Sequence, residues 1–175
     1  MYKHILKRPG TLALAVLLAA GLVMSGCAKK KDAAAATPFY TNGDGIPELT
    51  AIPSNVPASA TKGTTININA DVDSDTGSVL IQLWDASGNP TNSMGYKPVT
   101  GGTAQTVSVP VAINSAATPG NYTVMIDTYD KSGAGYTAYV PTSSTYTKYT
   151  GCKTNGCPEG TPTSLTNPVI TITVN

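Results

Sequence analysis

From residue 66 onward, apolar side chains return at every second position in short runs, the spacing at which successive residues of a strand point to opposite faces. Ile66, Ile68, Ala70 and Val72 make one such face, Val79, Ile81 and Leu83 a second, and Val107, Val109, Val111 and Ile113 a third. Pro110 falls on the opposite side of the third run, which predicts an edge strand that does not miss the absent donor. Tyr122, Val124 and Ile126 follow the turn Thr118-Pro119-Gly120, and two further runs lie at 135–140 and 169–174. Asp85-Ala86-Ser87-Gly88-Asn89-Pro90 supplies a turn. The pattern predicts an all-β antiparallel domain of about seven strands. Between 141 and 167 it breaks into a Thr, Ser and Tyr rich stretch, longer than an ordinary hairpin loop, which is expected to be a connection.

The first 26 residues are patterned differently. Lys3, Lys7 and Arg8 form a basic head, and 11–24 carries no charge. About 20 apolar residues are needed to cross a bilayer, so this run is expected to be an export signal rather than a span. It ends in Leu22-Val23-Met24-Ser25-Gly26-Cys27, which resembles the lipobox of bacterial lipoproteins. That resemblance implies cleavage before Cys27, a diacylglycerol on its sulfur and usually a third acyl chain on its amine. Several chains together make membrane attachment durable where one would be marginal. Met24 stands where Leu is usual, and Ala28 replaces the Asp that typically retains such proteins at the inner membrane, so an outer-membrane location in the cell envelope is expected. A conventional signal peptide ending at Met24-Ser25-Gly26 is the competing reading. Residues 27–45, with Ala33-Ala34-Ala35-Ala36 at their centre, read as a flexible tether, and 46–175 as the folded domain.

Charge and side-chain chemistry then narrow the function. Beyond residue 26 there are eight lysines against ten acids, a net of −2, and no Arg. The one basic cluster, Lys29-Lys30-Lys31, adjoins the expected lipid and suits anionic headgroups better than nucleic acid, which is excluded as a partner. His4 is the sole His and falls within the signal. Without His or Arg the domain cannot assemble a Ser, His and Asp triad, so it is read as no enzyme, although paired carboxylates remain formally open. No cofactor is expected. Cys152 and Cys157 are left as a pair once Cys27 is lipidated, and an exported chain favours a disulfide between them that staples the 141–167 stretch.

The run Pro119-Gly120-Asn121-Tyr122-Thr123-Val124 resembles a signature of bacterial immunoglobulin-like domains. The resemblance implies an immunoglobulin-like β-sandwich in which Tyr122 hydrogen-bonds to nearby backbone as a corner and Val124 occupies a core position. Asn42-Gly43-Asp44-Gly45-Ile46-Pro47 is similar to the calcium-binding repeats of thrombospondin type 3. Tyr40 and Ala51 stand where such a loop wants acids, and Gly77 and Gln82 break the second acidic run, Asp71 to Asp75, so turns are expected and no metal is assigned.

If the inward faces are as read, Trp84, Met125 and Tyr129 point outward together, an aromatic surface suited to sugar stacking or a protein partner. A one-residue slip in register would bury Trp84 and Leu80 instead. Tyr136, Tyr139, Tyr146 and Tyr149 crowd the last hairpin and the stapled stretch, and tyrosine is favoured in binding loops. The expected function is a membrane-anchored, noncatalytic interaction or structural module that contacts another protein or an extracellular polymer. The alternative is carbohydrate binding on the Trp84 face.

Overall fold

Alternating apolar and polar positions commit a chain to strands because only one face of each can be buried. The computed structural model describes residues 43–153 and 160–175, and within them the chain is all-β with no helix. The strands are β1 (Leu49–Ala51), β2 (Ser59–Ala60), β3 (Thr65–Val72), β4 (Thr76–Trp84), β5 (Pro90–Pro98) and β6 (Gln105–Ala112). They continue as β7 (Gly120–Asp130), β8 (Tyr136–Thr142), β9 (Thr145–Cys152), β10 (Thr161–Pro168) and β11 (Thr171–Val174). The expected signal, Cys27 and most of the tether lie outside the described residues, as does Cys157.

The strands join in one curled sheet, a half-barrel, in the order β1-β3-β6-β5-β4-β7-β8-β9-β10, with β11 and β2 branching from β7. All pairings are antiparallel except that of β11 with β2. About seven strands were expected, and the described residues contain eleven. The join that makes the sheet continuous is narrow: β5 meets β6 at the single pair Met94 and Ala112. Gly95 permits it, because a Cβ there would stand 2.2 Å from the Pro110 carbonyl oxygen. Pro110 lies in β6, which pairs with β3 along its whole length but with β5 only at that one point.

The long β7 carries the architecture. One edge pairs with β4 from Thr123 to Asp130, while its other edge is divided between β11, which takes Gly120 to Thr123, and β8, which takes Ile126 to Tyr129. At its start the Tyr122 hydroxyl donates to the Thr118 carbonyl at 2.6 Å, the corner contact that the sequence motif implied. The stretch 141–167 is not a free connection. It supplies β9 and most of β10, which extend the sheet as consecutive hairpin strands.

The concave side holds the core. Ile68, Ala70 and Val72 of β3, Val107, Val109 and Val111 of β6, Val79, Ile81 and Leu83 of β4, and Val124 and Ile126 of β7 meet there, joined by Ile172 and Val174. Each such side chain contributes roughly 1.5–3 kcal/mol when fully buried. The expected register of β4 and β7 is therefore the one adopted.

The curled sheet would leave a gap between β3 near one end and β8 and β9 near the other. The segment Pro47 to Leu49 crosses it. Asp73 Oδ2 accepts the Glu48 N–H at 3.1 Å, Thr128 Oγ1 donates to the Pro47 carbonyl at 2.7 Å, and the Tyr139 hydroxyl accepts the Leu49 N–H at 2.7 Å. Lys148 Nζ completes the strap with a 2.7 Å ion pair to Glu48 Oε1, both side chains being buried. Lys148→Met should cost about 3–5 kcal/mol by stripping a buried carboxylate of its ion pair, whereas Glu48→Met with Lys148→Met should recover most of that loss. Urea unfolding of the single and double variants reads the difference. Equal losses would show that the pairing itself carries no weight.

Candidate functional site

The same alternation that sends Val79, Ile81 and Leu83 inward sends Leu80, Gln82 and Trp84 outward, and on β7 it turns Met125, Asp127 and Tyr129 the same way. Cross-strand register brings them together. Gln82 lies opposite Met125 and Leu80 opposite Asp127, while Ala138 of β8 faces Asp127 from the other side and Tyr136 faces Tyr129. Tyr149 of β9 stands opposite Ala138, and Met94 of β5 opposite Gln82. These side chains line a cleft of about 610 Å³. The Tyr129 and Tyr136 rings form one wall, with centroids 5.1 Å apart and planes tilted by 32°. Tyr136 and Ala138 also pack with the buried Cys152 as a small second core, against which Tyr129 and Tyr149 rest.

The floor of the cleft is polar at two points. Asp127 is only 7 % exposed, and its Oδ1 has no hydrogen-bond partner among the described residues. Trp84 Nε1 is buried and similarly unpaired. Burial pushes the Asp127 carboxyl up to about 7, against the opposing effect of a side-chain hydrogen bond from Tyr129. Tyr129 is itself pushed upward by burial and then by the neighbouring Asp127 charge. An acceptor and a donor left unpaired at the base of an apolar groove is an arrangement that normally carries a free-energy cost unless something occupies it.

Four of the six aromatic residues expected to bind, Trp84, Tyr129, Tyr136 and Tyr149, line this cleft. Tyr139 and Tyr146 do not. Both are fully buried on the concave side, because each lies three residues from a cleft tyrosine on its own strand and an odd separation reverses the face. The Tyr146 hydroxyl donates to the Val124 carbonyl at 2.7 Å and accepts the Ile170 N–H at 3.3 Å, and burial pushes it up to about 12. Tyr139, which receives the Leu49 N–H, is likewise raised by burial. Both are core residues rather than contact residues. Asp127 was not picked out from the sequence, although its place on the outward face of β7 follows from the same alternation that places Met125 and Tyr129 there.

The other places where chemistry could reside are occupied by turns. A second cavity, of about 520 Å³, lies where the β4–β5 and β6–β7 connections meet. Its polar groups serve local structure: Asp85 Oδ1 accepts the Ser87 and Asn89 N–H groups, and Asn114 Oδ1 accepts that of Ala116. Both acidic runs behave similarly. Asp44 Oδ1 caps Ile46, while Asp73 Oδ1 accepts the Thr76 hydroxyl at 2.7 Å and the Thr76 N–H at 3.0 Å. Among the described residues no three His, Cys, Asp or Glu side chains are grouped to hold a metal.

Chemically the cleft can bind but offers little for acid and base work. Among the described residues Asp127 is the one acid lining it, and none of them presents a second carboxylate there for a paired mechanism. Comparison with known families and proteins finds no family model that matches the chain and no similar curated protein.

The raised Asp127 carboxyl has a consequence for stability. A folded-state value above the unfolded one means the folded protein holds this proton more tightly, so the contribution of Asp127 to stability is greatest in acid and falls as pH rises from about 4 through about 7. Asp127→Asn should abolish that portion of the slope, on the order of 4 kcal/mol at full ionisation. Urea midpoints measured across this range provide the check, and an unchanged slope would assign the pH response to other groups.

Proposed function

We propose that the protein is a lipid-anchored, noncatalytic binding module of the cell envelope, and that the outward cleft of β4, β7, β8 and β9 is where it takes an extracellular polysaccharide. The observation that carries this reading is the convergence of Trp84, Tyr129, Tyr136 and Tyr149 on one groove of about 610 Å³. Aromatic rings beside an apolar floor suit the carbon-bound faces of sugar rings, and unpaired polar atoms at the base would hydrogen-bond hydroxyls. Tyr139 and Tyr146 are buried and take no part in this groove.

A protein partner is the second reading. Met94 and Tyr96 of β5, at 41 % and 58 % exposure the large exposed hydrophobics among the described residues, stand on the same side of the sheet.

Three further parts of the reading belong with it. The immunoglobulin-like relationship is supported by the Tyr122 corner and by Val124 in the core. A Cys152 to Cys157 disulfide is supported by the buried position of Cys152 against Tyr136 and Ala138, which such a bond would brace. Anchoring and outer-membrane location rest on the motif ending at Cys27.

Glycan-array binding should give a defined set of positives with the wild type, and Trp84→Ala should weaken them by roughly tenfold or more. A wild-type array without signal would favour the protein partner. Mass spectrometry of the protein purified from membranes should show acyl chains on Cys27. An unmodified N-terminus or free release into the medium would end the anchoring proposal.

A further inference from the structure

The reading of the cleft as a binding site leaves open what Asp127 is for. A polar groove floor could be built from amide or hydroxyl groups, which recognise neutral hydroxyls at no charge. Here the central acceptor is a carboxyl, more than nine-tenths buried, with Oδ1 unpaired among the described residues. Among the described residues no lysine or arginine lines the cleft. A neutral donor could satisfy the geometry of Oδ1 but would leave the ionised form uncompensated in an apolar site, whereas a cation satisfies both.

The walls favour one kind of cation. A divalent metal needs about six oxygen ligands, and one carboxylate among aromatic and aliphatic side chains cannot supply them. An organic ammonium is different, because its charge is spread over an alkyl shell that tolerates apolar contact and is attracted to the faces of aromatic rings. Tyr129 and Tyr136 stand beside Asp127 as a tilted pair in ring contact. The geometry points to a site in which the ligand places an organic ammonium group against the Asp127 carboxylate, flanked by the Tyr129 and Tyr136 rings.

Trp84 adds a constraint on length. It lies four residues beyond Leu80, the residue opposite Asp127, and so about 13 Å along the strand. Its unpaired N–H calls for an acceptor at the other end of the groove. A ligand that uses both points is extended, with its cation at one end and a hydroxyl or carbonyl at the other, as an amine-substituted sugar chain would be.

The site should respond to pH through Asp127 itself. The other titratable groups on this side of the sheet are Tyr129 on the same strand, Tyr136 on β8, Tyr149 on β9 and Tyr96 on β5. All are phenols, a group that in water ionises near pH 10. Leu80 and Gln82, facing from β4, carry no charge. With its carboxyl pushed up to about 7, Asp127 takes a proton just below neutral pH and would release a bound cation as it does so.

Choline and its neutral isostere 3,3-dimethylbutan-1-ol test this directly, since choline keeps its charge at every pH. Trp84 is the only tryptophan of the chain and lines the cleft, so its fluorescence reports occupancy there. At about pH 8 choline should bind at least about tenfold more tightly than the isostere, and should weaken severalfold by about pH 5.5. Asp127→Asn should erase both the preference and the pH response. Because the wild type alone carries the pH response, the test holds even if that variant folds poorly. Equal binding of the two compounds, or a choline response flat with pH, overturns the ammonium assignment while leaving the cleft as a binding site. Failure of both compounds to perturb Trp84 at tens of millimolar, roughly the weakest range for a small ligand, removes the assignment and the cleft reading together.

Discussion

A buried ion pair between residues a hundred positions apart holds this fold closed. Glu48 and Lys148 meet at 2.7 Å inside the half-barrel, where desolvation makes any unpaired charge expensive. Such a pair adds little net stability over well-packed hydrophobic residues, but it admits very few alternatives to its own geometry. Its partners are directional as well: Asp73, Thr128 and Tyr139 each bind a defined backbone group of Pro47 to Leu49. Apolar packing curls the sheet, and this polar strap specifies how far. The concave side is thereby fully committed to the interior, which leaves the outward face of the same strands for contact with other molecules.

Core and cleft are two sides of one set of backbones. Ile126 is fully buried on the concave side while Asp127, the next residue, lines the cleft, and both are held by β4 on one side and β8 on the other. The cleft is therefore built on paired strands rather than on loops, and its Tyr136 and Ala138 are packed with the buried Cys152. A carboxyl oxygen and an indole N–H that lack partners among the described residues lower the stability of the fold. Departures of this kind from local consistency tend to mark sites kept for function rather than for folding.

How much of this could be read from the sequence depended on where the apolar residues lay. β3, β4, β6, β7 and β11 announce themselves through alternating Val, Ile and Leu, and the inward register of β4 and β7 follows directly. β5, β9 and β10 are built from Thr, Ser, Tyr, Pro and Lys, so they form strands without a strong apolar period, their pairing supplied by neighbours already in place. The outward set of Trp84, Met125 and Tyr129 was legible from alternation, and the opposite placement of Tyr139 and Tyr146 was available from their odd spacing to Tyr136 and Tyr149. The Glu48–Lys148 pair had no local signal, since nothing in either neighbourhood indicates a partner so distant. The close approach at Gly95 was equally silent, because a glycine in a polar stretch reads as a turn until the strand beside it is known.

The strap also decides how the domain meets mechanical load. Residues ahead of Gly43 connect to the folded part through Pro47 to Leu49, so tension on the N-terminal end arrives first at the segment that bridges the open side of the sheet. It must dislodge hydrogen bonds to Asp73, Thr128 and Tyr139 and draw a paired charge out of the interior. The entrance of the chain into the domain is thus its reinforced point, on the side of the sheet opposite the outward cleft.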